Sequence, residues 1–166
     1  PGKPGMLLVR GPNVMRGYLG RDDLTAKVLR NGWYVTGDIA QIDEDGFVKI
    51  TDRLSRFSKI GGEMVPHGKV EEALNEAAGS NLQVFAVTGI PDEKKGESLA
   101  VLHTLDDTRI PEILEKLAAK GLPNLFIPKT DRFLKVPAIP VLGTGKVDLR
   151  AVRQKAIEAF TPAKTG

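Results

Sequence analysis

The chain has 166 residues, enough for one domain with a hydrophobic core or for a small domain joined to part of another. Its 24 Lys and Arg residues are interspersed with 21 Asp and Glu residues, so the formal charge of +3 is too weak a field for a nucleic-acid-binding stripe. The absence of Cys excludes disulfides, thiolate metal sites and thiol catalysis, and two isolated His residues argue against a histidine metal site.

No apolar run approaches the length of a membrane span, and none resembles a secretory signal peptide. We therefore expect a cytoplasmic location. The sequence opens on Pro1 instead of an initiator Met, so we expect it to be a piece cut from a longer protein.

Short strands and turns dominate the first fifty residues. We expect strands over residues 6–10, 39–42 and 47–50, the last two joined by a turn. Asp22 or Asp23 is suited to cap a short helix that ends before residue 31. These strands are too few to close a hydrophobic core of their own.

The stretch over residues 52–66 predicts a β-hairpin with a Gly-Gly turn at residues 61–62. Arg53, Arg56 and Lys59 precede that turn. Glycines let a ligand approach the backbone and cations neutralise an anion, so an anion site is one interpretation. The other is a surface hairpin whose basic edge serves solubility.

The pattern changes after the hairpin, where apolar residues recur at helical spacing. We predict helices around residues 70–78, 113–118 and 149–160, strands over residues 84–87, 98–104 and 132–136, and a loop over residues 89–96. Pro111 suits the first turn of the second helix, and Asp148 suits the N-cap of the third. From residue 53 onwards the sequence therefore predicts an α+β domain with a small mixed sheet.

Two further patches could carry chemistry. Residues 36–38 (TGD) end a predicted strand, and the Asp38 carboxylate could accept hydrogen bonds from both hydroxyls of a sugar diol; a simple turn is the alternative. Residues 143–146 (GTGK) form a loop that delivers Lys146, suited to bind a phosphate or carboxylate as a point charge; an ordinary surface loop is the alternative. A Walker phosphate loop is excluded, because Val147 follows the lysine.

Four motifs follow one another along nearly the whole chain. They are GPNVMRGY at residues 11–18, GWYVTGD at 32–38, DR at 52–53, and GTGK at 143–146 followed by Arg150. In these motifs the chain resembles the C-terminal part of the adenylate-forming enzymes, which include acyl- and aryl-CoA ligases, nonribosomal peptide adenylation domains and luciferases. More narrowly, RFSKIGGEMVPH at residues 56–67 resembles the branch of acyl-acyl-carrier-protein synthetases and 2-acylglycerophosphoethanolamine acyltransferases.

The resemblance implies a ligase that uses ATP with Mg²⁺ to convert a fatty acid to acyl-adenylate. The acyl group would then pass to a pantetheine thiol of coenzyme A or of acyl carrier protein. By position in the motifs, Asp38 would accept hydrogen bonds from the ribose of ATP, and Arg53 would contact the same nucleotide. Lys146 would bridge the acyl carboxylate and the α-phosphate as pyrophosphate leaves.

The resemblance also implies two domains. Residues 1–51 would be the last β subdomain of a large N-terminal domain, whose phosphate loop, adenine pocket and acyl tunnel would precede this sequence. Residues 52–166 would be a small lid domain that rotates after the first half-reaction. Gly61 and Gly62 would then let the pantetheine arm pass, with Lys59 nearby.

Two positions depart from the family pattern and leave the detail of domain closure open. The hinge position, usually Asp or Lys, is Ser55, and the acidic residue usual two positions after Pro66 is replaced by Gly68. An alternative function is a non-catalytic docking module for carrier protein or nucleotide, since the chain has no general base of its own. A nucleic-acid module is disfavoured by the balanced charge and few aromatic residues.

We therefore expect ATP, a fatty acid and either coenzyme A or acyl carrier protein as partners, with no nucleic acid and no membrane segment in this chain. The narrower resemblance adds two expectations. One is a lysophospholipid acceptor served by fused domains, and the other is a location of the longer protein at the cytoplasmic face of the inner membrane.

Overall fold

The computed structural model describes residues 2–161. The chain divides into two units, Pro1–Ser55 (unit 1) and Arg56–Gly166 (unit 2). Unit 1 is a four-stranded antiparallel sheet in which the long strand β3 pairs with each of the other three strands. Its elements are β1 (Gly5–Val9), α1 (Asp22–Val28), β2 (Leu29–Arg30), β3 (Trp33–Ile42) and β4 (Val48–Arg53).

The predicted strands of unit 1 are confirmed, and the turn between β3 and β4 is closed by a side chain. Asp43 Oδ1 accepts hydrogen bonds from the backbone N–H groups of Asp45 and Phe47. The predicted helix cap is wrong: the N-cap is Arg21, with no capping side chain, and Asp22 and Asp23 lie in the first turn. Their negative charges still interact favourably there with the positive, N-terminal end of the helix dipole.

Unit 2 is a five-stranded mixed sheet with helices on both faces, which confirms the α+β prediction. The strands run in the order β6, β5, β8, β7, and β9 pairs in parallel with β8. Its elements are β5 (Phe57–Ile60), β6 (Glu63–Pro66), α2 (His67–Ala77), β7 (Phe85–Asp92), β8 (Gly96–His103), α3 (Ile110–Ala119), β9 (Phe133–Lys135) and α4 (Leu149–Phe160).

The core of unit 2 has one half on each face of the sheet. Successive side chains of a strand point to opposite faces. Phe85 and Val87 of β7 accordingly pack with Leu74 of α2 and with α3, whereas Ala86 packs with Val152 of α4. Burial on both faces explains why the first three residues of β7 are all apolar instead of alternating with polar residues.

The loop predicted over residues 89–96 is too long: the β7–β8 ladder continues to the pair Asp92 and Gly96, so only residues 93–95 form the turn. Gly89 and Pro91 suggested a break in the chain, yet both lie within the strand. Pro91 is tolerated because β7 lies at the end of the strand order, and an edge strand can lose a ladder donor. Among the described residues, no helix has the length and apolar character needed to cross a membrane.

Candidate functional site

The two residues of unit 1 that were predicted to bind the nucleotide contact each other. Asp38 and Arg53 are paired residues of the β3–β4 ladder, and Arg53 Nε lies 2.9 Å from Asp38 Oδ1. The side chain of Asp38 is 17% exposed, whereas that of Arg53 is 67% exposed. The carboxylate is therefore held in place while most of the Arg53 side chain faces solvent, and the guanidinium has further N–H donors for an anion.

A β-bulge sets the position of Asp38. Along the β1–β3 ladder, Met6 pairs with Ile39 but Leu8 pairs with Val35, so residues 36–38 lie opposite a single residue of β1. Thr36 anchors this bulge, since its Oγ1 donates to the Leu7 carbonyl at 2.9 Å and accepts from the Asp38 N–H at 3.0 Å. Bulges of this kind commonly redirect a side chain beside a binding site.

Glycine is required within the bulge by its backbone conformation. Gly37 has φ of 78°, which side chains bearing a Cβ rarely adopt, although a Cβ there would meet no atom within 4 Å. The TGD motif is thus a fixed bulge inside a strand, and the simple turn considered as its alternative is wrong. The sugar-binding role of Asp38 stays a prediction.

The hairpin of unit 2 is confirmed. β5 and β6 pair from Ile60 and Glu63 outwards, around a two-residue turn in which Gly61 has φ of 59° and Gly62 has φ of 94°. Two successive positive φ values are typical of the turn that matches the twist of a hairpin. A Cβ at either glycine would meet nothing within 4 Å, so unit 2 leaves the turn open to an approaching ligand. Lys59 is exposed on the strand before it.

Arg56 does not belong to the anion site that the spacing of cations suggested. Its guanidinium pairs with the carboxylate of Glu71 on α2, whose other oxygen accepts the Val87 N–H at 2.8 Å. Arg56 thereby helps to join the start of β5 to α2 and β7. Of the two unit 2 cations proposed from that spacing, only Lys59 is exposed.

Two buried polar residues behind the hairpin were not recognised from the sequence as a pair. Ser58 is fully buried, and its Oγ lies 2.8 Å from Nε2 of His67, which is 3% exposed. Burial, reinforced by the positive charges of Arg56 and Arg153, lowers the pKa of His67 from 6.5 to about 4. A neutral imidazole therefore holds the Ser58 hydroxyl at physiological pH.

The sequence does contain a signal for this pair. The apolar face of α2 includes Val70 and Leu74, and helical spacing places His67 and Glu71 on that same face. Ser58 is two residues from the buried Ile60, so period-2 alternation places it on the inner face of β5.

The predicted catalytic lysine lies on a tight turn before α4. The Leu142 N–H donates to the Lys146 carbonyl at 2.7 Å, and Val141 bridges to Val147. Asp148 then caps α4 as predicted, accepting from the N–H groups of residues 150 and 151. Lys146 is exposed, so a short ladder and a helix cap hold the backbone while the ammonium group stays available.

No protein-family model matches the sequence. Comparison with individual proteins finds relatives that are named as CoA synthases or CoA ligases. The chain is 39% identical over 158 residues to a feruloyl-CoA synthase from Amycolatopsis sp, across 93% of this chain and 31% of the relative. It is 37% identical over 161 residues to a long-chain-fatty-acid–CoA ligase from Yersinia pestis, across 96% of this chain and 28% of the relative. ATP-bound MatB from Rhodopseudomonas palustris matches in structure with a TM-score of 0.72 and 27% identity, across 93% of this chain and 30% of that one. The chain thus spans less than a third of the length of these relatives.

Proposed function

The chain corresponds to the C-terminal part of the adenylate-forming acyl-CoA ligases, and we propose that it serves such an enzyme as its lid domain with the adjoining strands of its large domain. The longer protein would be an ATP-dependent, AMP-forming acyl-activating ligase. The observation that carries this proposal is the 39% identity to a feruloyl-CoA synthase through 158 residues. The pairing of Asp38 with Arg53 supports it, because both residues could then meet one nucleotide.

In the first half-reaction, an oxygen of the acyl carboxylate attacks the α-phosphorus of ATP and pyrophosphate leaves. Negative charge builds on the α-phosphate, and the Lys146 ammonium would neutralise it as a preorganised donor. Asp38 would accept from the ribose hydroxyls, and Arg53 would hold the nucleotide from the solvent side. Mg²⁺ would accompany ATP, and both would be bound mostly by the large N-terminal domain. Within residues 2–161, no group of three or more His, Asp or Glu residues could hold a metal ion.

In the second half-reaction, a pantetheine thiol attacks the acyl carbonyl and AMP leaves. The lid would rotate about Ser55, the last residue of unit 1, and present the Gly61-Gly62 turn with Lys59. Glycines at this turn give the thiol arm the closest approach to backbone that any residue allows. Ser55 as the hinge is part of the same proposal. The boundary expected at residue 52 lies within β4, which pairs in the sheet of unit 1, so we propose that the moving domain begins after Ser55.

Two acceptors fit this chemistry. The relatives above are named as CoA synthase and CoA ligase, which favours coenzyme A, and we propose it as the first acceptor to test. The RFSKIGGEMVPH segment favours acyl carrier protein instead, with the acyl group passed on to a lysophospholipid at the inner membrane. Both acceptors carry the same phosphopantetheine thiol, so the hairpin would serve either.

The experiment is release of pyrophosphate by the full-length enzyme over a panel of fatty and aryl acids. Thioester formation would then be measured with coenzyme A or acyl carrier protein. We expect release that depends on the acid, followed by thioester with at least one acceptor. A protein that binds carrier protein or nucleotide but releases no pyrophosphate with any acid would be a docking module, and the proposal would fail.

A further inference from the structure

The hairpin that carries Lys59 and Gly61-Gly62 has little backbone attachment to the rest of its sheet. β5 pairs with β8 through one residue pair, Ile60 and Gly96. The next donor along β5, the Lys59 N–H, finds no carbonyl and instead donates to Oε2 of Glu97 at 2.7 Å. A side chain thus replaces one bond of the ladder at the base of the turn.

A second bond of the same kind lies at the turn itself. The Gly61 N–H donates to the Lys95 carbonyl at 2.9 Å. Lys95 is the residue just before β8, and Glu97 is the second residue of that strand. Both of these hydrogen bonds to the turn and its base therefore come from the start of β8, one from a backbone carbonyl and one from a carboxylate.

The Glu97 carboxylate also lies near a cation. Its side chain is 28% exposed, and its Oε1 lies 3.8 Å from an Arg153 guanidinium nitrogen on α4. A Cβ at Gly89 would lie 3.1 Å from this Oε1 and would collide with the Ser58 hydroxyl. The bare backbone of Gly89 therefore gives the side chains of Ser58 and Glu97 room beneath β5, which explains a glycine in the middle of β7.

We propose that Glu97 is a positioning residue for the thioester half-reaction, acting through the Lys59 amide to fix the Gly61-Gly62 turn against the incoming thiol. The inference rests on the proposed function. Loss of this acceptor would release the backbone at the base of the turn, and a displacement of about 1 Å in a reacting group can cost about 100-fold in rate. Adenylation does not use the hairpin, so that half-reaction is independent of Glu97.

The first test needs no activity. In the 166-residue chain, Glu97→Ala should raise the hydrogen exchange rate of the Lys59 amide about tenfold or more, because its acceptor is gone. The Val87 amide, bonded to Glu71, should not change. Glu97→Gln should keep the protection, since an amide oxygen still accepts. Glu93→Ala, on the exposed turn before β8, is the matched control. Unchanged exchange at Lys59 in a folded Glu97→Ala protein would overturn the proposal.

The second test measures both half-reactions in the full-length enzyme, with melting temperatures. Glu97→Ala should slow thioester formation from supplied acyl-adenylate about tenfold and leave pyrophosphate release unchanged, whereas Glu97→Gln should restore the thioester rate. If Glu97→Ala slows both half-reactions equally, or slows neither, the role of Glu97 is overturned while the proposed function stands. A parental enzyme inactive in both would overturn the proposed function, and this inference with it.

Discussion

Lowering the pH should destabilise this protein through one buried imidazole. His67 is enclosed behind the hairpin, with Nε2 on the Ser58 hydroxyl and the cations of Arg56 and Arg153 nearby. The carboxylate of Glu71, one turn further along α2, is already paired with Arg56. Folding lowers the pKa of His67 from 6.5 to about 4, chiefly because burial opposes its charged form.

The sign and size of the effect follow from that pKa. Between pH 6.5 and about 4 the unfolded chain binds a proton at His67 that the folded chain does not. The free energy of unfolding therefore falls as the pH falls through this window, and the loss is complete below the folded pKa. A pKa difference of this size corresponds to about 3 kcal/mol.

The assay is urea unfolding of the 166-residue chain from about pH 7.5 to about pH 4, for the parental protein and His67→Gln. Gln keeps a polar atom for the Ser58 hydroxyl but does not titrate, so every other ionisable group cancels in the comparison. The parental protein should lose about 3 kcal/mol relative to the variant across this range. Stability curves that stay parallel would refute the reasoning, because they would mean that His67 is protonated equally in both states.

Three further predictions concern the hinge, the core and the isolated chain. Ser55→Pro in the full-length enzyme should hold the lid in one arrangement, since proline fixes φ and removes an N–H; we expect one half-reaction to survive and the other to collapse, and equal rates in both would argue against a hinge there. Leu74→Ala should cost about 2–5 kcal/mol of stability by urea unfolding, because this fully buried side chain fills the core between α2 and β7; a loss below about 1 kcal/mol would contradict that packing. The 166-residue chain with ATP and a fatty acid should form no acyl-adenylate, since one lysine cannot position two substrates; acyl-adenylate detected by mass spectrometry would contradict this.

Local signals predicted the hairpin and the last helix. Adjacent glycines demand positive φ, and Gly61 and Gly62 supply it. An Asp before an apolar helical repeat can accept from the first free N–H groups, and Asp148 does so. Such features depend on a few consecutive residues, so sequence alone suffices.

Features that depend on distant partners were not predictable in the same way. Gly89 suggested a break, but it lies within β7 because Ser58 and Glu97 occupy the space its side chain would need. Arg56 was grouped with Lys59 by spacing, whereas its partner Glu71 comes from the following helix. The contact between Asp38 and Arg53 follows from the register of β3 and β4, which the motifs alone did not give.

In the proposed enzyme, one lid serves two half-reactions with two different sets of residues. The direct test is to measure both half-reactions in full-length Lys146→Ala and Gly62→Leu. Gly62→Ala serves as control, because any side chain at φ of 94° strains the turn but only Leu fills the space beyond it.

Lys146→Ala should slow adenylation about 10²- to 10³-fold and still convert supplied acyl-adenylate to thioester, as expected for one lost charge donor. Gly62→Leu should show the reverse, with pyrophosphate release intact and thioester formation lost beyond the effect of Gly62→Ala. If either folded variant lowers both half-reactions equally, the two sets of residues do not divide the work, and the account is contradicted.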